Sequence, residues 1–461
     1  MTGKDRGFSL GASLALTLAS AALWGVAHLA TGRQRTGVLL MTFHLVMIAF
    51  VVTMATTFKS QLLSLAVQPN WLTALTGGLI GLGLTWSVVI IWSFVLVKPA
   101  VTTTASRTLT TVTATLLCAL IIAPSAYAAR LAYLSRDVVT SLFSATSSTP
   151  VIAQDPWNGA RRVNVLLIGA DSAANRPGVR TDSMTVASVD TATGATTLLG
   201  LPRNLEQVRL PTGPPRERFP YGFTGEPPYT PGLLNEVYQY AEDYPEMVPG
   251  VRKGQRGPTL LTKTISNVLG IPVHYYAMVD MTGFAQIVDA MGGVKVTIRQ
   301  PITYGKYNEG LLPAGTRKLS GQEALWYGRS RTHSDDYVRM GRQKCLLNAV
   351  AKQADPITVL NSFEKLATAT KRAISTDVPQ ALLPAMIDLA QKVKGTHIRS
   401  LSFVPPLIST GDPDWKLIKR KVAGALADRP VSKAATAPAP RDAAPPAPSP
   451  EEPISLDTHC G

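Results

Sequence analysis

The residues best able to do chemistry are six arginines and three aspartates gathered in five short runs. Gly169-Ala170-Asp171-Ser172 ends one apolar stretch and Arg180-Thr181-Asp182-Ser183-Met184 begins the next, while Leu201-Pro202-Arg203-Asn204 closes a third. Tyr327-Gly328-Arg329-Ser330-Arg331 and Asp336-Tyr337-Val338-Arg339-Met340-Gly341-Arg342-Gln343 supply four more guanidiniums. Arg329 and Arg331 share a face if extended, and Arg339 and Arg342 are neighbours on a helix. A guanidinium stays charged and offers phosphate oxygens a planar fork, so the recurrence predicts a pyrophosphate held among them. Asp171 and Asp182 are the expected ligands of Mg²⁺ (or Mn²⁺), which takes one or two carboxylates and completes its shell with water and phosphate oxygens. The expected reaction is phosphoryl transfer to a hydroxyl, driven by the anhydride itself and helped by positioning and charge neutralisation. Taken singly, these residues read as turn, cap or surface positions. Their joint recurrence is what singles them out.

Strands and helices must bring these runs together. The apolar run 163–169 reads as a buried strand, and 183–189 with 195–201 as a hairpin turning at 191–194. Downstream, 273–279 reads as a strand, 282–291 as a helix stopped by Gly292-Gly293, and 294–298 as a further strand. Helices follow at 320–327 and from Asp336 past Val350. Alternating sheet and helix predict an α/β or α+β domain. His274 reads as a packed or edge residue, and Tyr275, Tyr276 and Phe284 as core or as lining of an apolar pocket.

Lys and Arg number 45 against 30 acids, a net charge of +15, yet 46% of the residues are hydrophobic. A membrane protein with basic loops and a phosphate-rich substrate explains both, and no helix-turn-helix or basic stripe argues for nucleic acid. Apolar segments at 8–30, 38–56, 72–97 and 109–129 approach the ~20 residues that cross a bilayer. Arginines flank both sides of the first, and Gly and polar residues interrupt it. It is therefore expected to be re-entrant or interfacial, leaving three spans and a domain outside the membrane. The expected division is a transmembrane helical region 1–130, a Ser/Thr-rich stalk 131–159, a catalytic domain 160–425 with its motif-bearing core at 160–355, and a disordered Pro/Ala-rich tail 426–461. Cys118 lies in an apolar run, and Cys345 reads as core. Cys345 and Cys460 can pair only if exported, and neither spacing nor motif decides whether they do.

Over residues 160–355 the chain resembles the LytR-CpsA-Psr family, through VNVLLIGADS, RTDSM, LPRN, HYYAMVDMTGFAQIVDAMGGVKV, LSGQEALWYGRSR and DDYVRMGRQ. The resemblance implies a three-layer α/β/α-like domain with a central mixed sheet and a hydrophobic pocket for a polyprenyl tail. It implies a phosphotransferase that moves a glycopolymer phosphate from a polyprenyl-pyrophosphate carrier to a peptidoglycan hydroxyl. With the three spans read from the apolar segments, such a protein is expected to sit multi-pass in the bacterial cell membrane with its catalytic domain extracytoplasmic. Carried over, Asp171 and Asp182 match the metal-associated aspartates, and Arg180, Arg203, Arg329, Arg331, Arg339, Arg342 and Gln343 match the head-group set. Arg180 and Arg203 then act catalytically. The family's usual Pro-Arg-Asp is Pro-Arg-Asn here, so Asn204 cannot take a proton, and Asp336 is the substitute the sequence offers. The same departure admits another reading, a catalytically degenerate membrane protein with a regulatory or scaffold role in envelope assembly.

Overall fold

Leu23, Trp24 and Gly25 break the first apolar segment, because Gly25 takes a left-handed φ of 93° and packs against the Gly37 carbonyl, leaving no room for a side chain. The result is two short helices, α1 (Leu10–Ala22) and α2 (Val26–Ala30), neither long enough to span a bilayer. Three longer helices follow: α3 (Gln34–Thr57), α4 (Pro69–Leu96) and α5 (Thr104–Leu142). By length and composition each of the three can cross a membrane. Their outward faces carry exposed Leu39, Val46, Leu116 and Leu120, as a lipid-facing helix requires. α1 docks on α4, where the Trp86 indole donates to the Ala21 carbonyl at 2.9 Å.

The computed structural model describes residues 8–58, 62, 65–99, 103–143, 154–171, 178–226, 231–305, 307–332, 335–354, 373–427 and 452–460. The chain divides into two compact units, 1–140 and 141–461. α5 continues through Leu142, into the residues expected to form a stalk. There Ser135 and Thr140 donate back to the Leu131 and Arg136 carbonyls, so hydroxyls that predicted a loop are absorbed by the helix. The rest of the expected stalk falls largely on residues 144–153, outside the described ones.

The second unit is built on β1 (Arg162–Asp171), β2 (Arg180–Asp190) and β3 (Thr196–Leu201), an antiparallel meander. Its β2–β3 turn is tied by Asp190, whose Oδ1 accepts from the Ala192 and Thr193 amides. In chain order follow α6 (Val237–Asp243), α7 (Arg256–Leu269), β4 (Tyr275–Asp280), α8 (Met281–Ala290) and β5 (Val294–Ile298). Next come β6 (Ile302–Tyr304), β7 (Gly310–Leu312), β8 (Gly315–Leu319), α9 (Gly321–Arg329) and α10 (Asp336–Gln353). The unit ends with β9 (Ile374–Thr376), α11 (Leu383–Lys394), β10 (Ile398–Ser402), α12 (Trp415–Leu426), β11 (Ile454–Ser455) and α13 (Leu456–His459). The sheet order is β11-β10-β3-β2-β1-β4-β9, with β10/β3 and β1/β4 parallel and the other neighbours antiparallel.

Period-two alternation sorts the strands' apolar residues onto two faces. Leu166, Ile168, Met184, Val186, Leu199 and Leu201 pack against α6, α7 and α12. Val163, Val189, Leu198 and Ile398 face α10, α11 and α13. The domain is therefore α/β, with a mixed sheet between two helical layers. β5 and β8 form a separate hairpin whose Val294, Val296 and Leu319 pack with Val288, Ala324 and Leu346.

The tail needs a correction. Residues 452–460, expected to be disordered, form β11 on the edge of β10 and then α13, and Cys460 is disulfide-bonded to Cys345 with 5.3 Å between Cα atoms. Composition averaged over an Ala/Pro-rich stretch hid three anchors. Leu456 is fully buried beside Leu198 and Ile398, Asp457 contacts His397 at 2.6 Å and Lys352 at 3.7 Å, and Cys460 supplies the covalent tie. Residues 428–451 of the same expectation lie outside the described ones.

Candidate active site

The β1–β2 ladder carries a bulge. Gly169 pairs with Ser183, but the next residue, Ala170, pairs with Thr181, which leaves Asp182 as the extra residue of β2. A bulge frees one side chain from strand alternation and re-aims it. The side chain so aimed is a carboxylate of the expected site. β1 and β4 run parallel, so their carboxyl ends open on one edge of the sheet. α8 leaves that edge directly from β4, its first turn held by Asp280 Oδ1 accepting from the Gly283 amide at 2.8 Å.

α9 is set against α8 by Gly321, where a Cβ would meet the Ala285 carbonyl oxygen at 1.9 Å. Ser320 and Glu323 form a reciprocal capping box that starts α9. α10 starts on Asp335, whose Oδ1 accepts from the Val338 amide at 2.7 Å. These local devices fix the helices that carry Arg329, Arg339, Arg342 and Gln343.

Between these elements lies a cavity of about 830 Å³. Five guanidiniums line it, those of Arg180, Arg203, Arg329, Arg331 and Arg339, against three carboxylates, Asp171, Asp182 and Asp280. The lining is thus net positive. The rest of the lining is largely apolar, including Val279, Met281, Phe284, Trp326 and Leu346, with Ser183, Ser330, Thr332 and Gln343 among it.

One carboxylate oxygen is shared among three of the guanidiniums. Asp336 Oδ1 lies 2.9 Å from Arg339 Nη2, 3.5 Å from Arg203 Nε and 3.6 Å from Arg331 Nε. Arg203 also reaches Asp182 Oδ1 at 2.6 Å, and Arg339 donates to the Asp182 carbonyl at 3.3 Å. Only 3% of the Arg339 side chain is exposed. Burial pulls its pKa below the ordinary arginine value while Asp336 pushes the other way. Arg329 sits 3.8 Å from Asp171 and stacks 5.7 Å over the Trp326 ring. Among the described residues Arg180 makes no ion pair, so its fork is open to a ligand.

The structure does not bring every expected residue to the cavity. Arg342 is neighbour to Arg339 on α10 but turns away, donating from Nη2 to the Ser330 carbonyl at 2.7 Å, which ties down the turn between α9 and α10. Gln343 lines the cavity and donates to the Gly328 carbonyl at 3.1 Å. Asp336 lies behind the guanidiniums and is not among the lining residues. Asn204 points elsewhere, its Nδ2 3.5 Å from Thr410 Oγ1. The sequence reading missed Asp280, Trp326 and Ser330. Trp326 lies three residues before Arg329 on α9, and that spacing was the available signal for their stacking. Ser330 donates to the Thr303 carbonyl at 2.6 Å and so anchors the Arg329–Arg331 segment to β6.

Among the described residues no group of three or more His, Cys, Asp or Glu could cage a metal alone. Asp171 and Asp182 nevertheless end adjacent strands and line the same cavity. Two carboxylates in a cavity lined by guanidiniums fit the donor set of Mg²⁺, which draws its other ligands from water and phosphate.

The chain is similar to several known proteins. Over 249 residues the chain is 25% identical to the polyisoprenyl-teichoic acid–peptidoglycan teichoic acid transferase TagU of Halalkalibacterium halodurans, covering 53% of this chain and 67% of the relative. Over 230 residues it is 25% identical to the regulatory protein MsrR of Staphylococcus aureus (strain COL), covering 49% of this chain and 59% of the relative. The crystal structure of B. subtilis TagV is similar with a TM-score of 0.41 and 21% identity, covering 57% of this chain and 96% of that one. The LytR_cpsA_psr family model matches residues 133–406, beginning within α5 and spanning every clustered arginine and aspartate described above. With more than half its length matched, and the match containing the whole cavity, this chain is a member of the LytR-CpsA-Psr family.

Proposed function

We propose that the chain is a membrane-anchored phosphotransferase that moves a glycopolymer phosphate from a polyprenyl-pyrophosphate carrier to a hydroxyl of peptidoglycan. The observation that carries this reading is the mixed lining of one cavity, five guanidiniums together with apolar residues such as Val279, Met281, Phe284 and Leu346. A pyrophosphate joined to an isoprenoid needs both. Arg180, Arg203, Arg329 and Arg331 grip the diphosphate oxygens, and Arg339 adds charge from behind. Phe284, Met281 and Leu346 receive the first isoprenoid units. The acceptor hydroxyl attacks the polymer-side phosphorus, the anhydride P–O bond breaks, and polyprenyl phosphate departs with its charge neutralised by the same guanidiniums, the hydroxyl's proton leaving on that phosphate or to water. Asp171 and Asp182 would hold Mg²⁺ (or Mn²⁺), which supplies further neutralisation of phosphate charge. Asp336 serves as a positioning residue, because its oxygen is shared among three guanidiniums that would otherwise repel one another.

The test uses full-length protein in nanodiscs with a polyprenyl-pyrophosphate-linked glycan, peptidoglycan and Mg²⁺. Wild type is expected to release polyprenyl phosphate and load polymer onto peptidoglycan. Arg203→Ala or Arg329→Ala is expected to lower turnover by about 10²-fold or more, the scale of losing one preorganised charge donor. Wild-type turnover in either variant sinks the clamp. No turnover by wild type favours the second reading, a degenerate regulatory or scaffold protein, which the turned-away Asn204 keeps in view. We further propose that α3, α4 and α5 are the spans and that the second unit lies outside the membrane. A reporter fused after Gly159 that works only in the cytoplasm rejects that topology.

A further inference from the structure

We propose that a second cavity in the same unit binds an anionic glycan strand, so that the chain holds its glycan at two places. The cavity measures about 660 Å³ and lies between the loop after β3, the C-terminal end of α7 and the start of α12. Arg209, Arg216, Lys416 and Lys419 line it together with Trp415. Among the described residues none of these four cations is paired with a carboxylate. The acid of the lining, Asp414, is already engaged, its Oδ1 accepting from the Lys416 and Leu417 amides at 2.9 Å each. Four cations against this one carboxylate leave the cavity lining net positive.

Two of the cations are held in place. Arg216 Nε donates to the Leu210 carbonyl at 2.8 Å. The stem of Lys419 crosses Gly270, the left-handed cap of α7, with its Cγ 3.0 Å from where a Cβ would stand. Trp415 is half-buried, packed on one side against the main core, and lends its remaining surface to the cavity. A flat apolar ring beside guanidinium and ammonium groups suits a sugar bearing carboxylate or phosphate, the ring stacking on the indole and the anion meeting the cations. An acyl chain would find little to fill, since Val268 is the aliphatic residue of this lining, in contrast to the first cavity. The volume lies within the range of small-ligand sites.

Chain continuity places the two cavities within reach of one glycan. Arg203 lines the first and Arg209 the second, and six residues of chain span at most about 20 Å. A strand seated on Trp415 can therefore extend toward the clamp. The identification of the ligand as wall glycan rests on the transferase reading, whereas the binding itself does not.

The experiment reads binding by calorimetry, with full-length protein in neutral nanodiscs and no lipid-linked donor. Four probes are used: a peptidoglycan disaccharide-peptide bearing carboxylates, a glycerol-phosphate oligomer, a neutral chito-oligosaccharide and an oligo-dT strand. The carboxylate probe binding tighter names the acceptor as the source, and the phosphate probe binding tighter names the donor polymer; either supports the site. The triple variant Arg209→Gln, Lys416→Gln, Lys419→Gln, all at exposed positions, is expected to weaken the anionic glycans at least tenfold. The same weakening is expected when the triple variant is made in the Arg203→Ala background, so a failed clamp and a failed second site give different results. Unchanged binding in the triple variant, equal binding of the neutral glycan, or equal binding of oligo-dT overturns the proposal.

Discussion

Replacing Lys344 with Met should stabilise the protein, and the gain should depend on pH. Lys344 lies on α10, immediately after Gln343, with its side chain directed under the sheet. Its tail runs over Gly200 of β3, where a Cβ would come within 2.6 Å of Cε, and Nζ reaches Ser402 Oγ of β10. It is 3% exposed, and burial alone lowers its pKa from 10.5 to about 7. The folded value lies below the unfolded one, so the native state holds this proton less tightly. The resulting penalty is complete below about pH 7 and fades as the pH rises toward 10.5. At roughly 1.4 kcal/mol per pH unit it amounts to about 5 kcal/mol at low pH and about 2 kcal/mol at pH 9. Lys344→Met removes that cost and forfeits one hydrogen bond worth about 1 kcal/mol. The expected net gain is about 3 kcal/mol at pH 7 and about 1 kcal/mol at pH 9. Urea unfolding of detergent-solubilised wild type and variant, followed by near-ultraviolet circular dichroism at both pH values, measures it. A Met variant no more stable than wild type at pH 7, or a gap that does not shrink at pH 9, refutes the reasoning.

Asp336→Asn should remove the charge shared by Arg203, Arg331 and Arg339, cost about 2–3 kcal/mol of stability and lower transfer at least tenfold. A positioning role leaves the acid limb of the pH–rate profile in place; its disappearance would identify Asp336 as the base instead. Cys345→Ser or Cys460→Ser should cost about 2–5 kcal/mol, because the bond joins residues 115 apart in sequence and closes a long loop of the unfolded chain. Unfolding midpoints of wild type with and without reductant should reproduce that loss, and a difference under about 1 kcal/mol would show that Leu456 and Asp457 hold the C-terminal segment unaided.

The sequence by itself determined what is local or periodic. Three apolar segments of spanning length, the β2–β3 hairpin with its polar turn, the Asp335–Asp336 start of α10 and the Gly292-Gly293 stop are all set by hydropathy, caps and glycine, interactions within a few residues. The runs bearing Asp171, Arg180, Arg203, Arg329 and Arg339 were visible for the same reason, since each pairs a strand or helix end with charged residues. Direction was not visible. A one-residue bulge aims Asp182, whose carbonyl accepts from Arg339 across 157 positions of sequence, while Arg342 turns to the Ser330 carbonyl; of the contacts made by Arg339, the one to Asp336, three residues away, is local. Likewise, composition marked the C-terminal stretch as unable to fold, because alone it cannot bury enough apolar area. Only the tertiary structure supplies the groove beside β10 and the facing Cys345 that give Ile454, Leu456 and Cys460 something to bind.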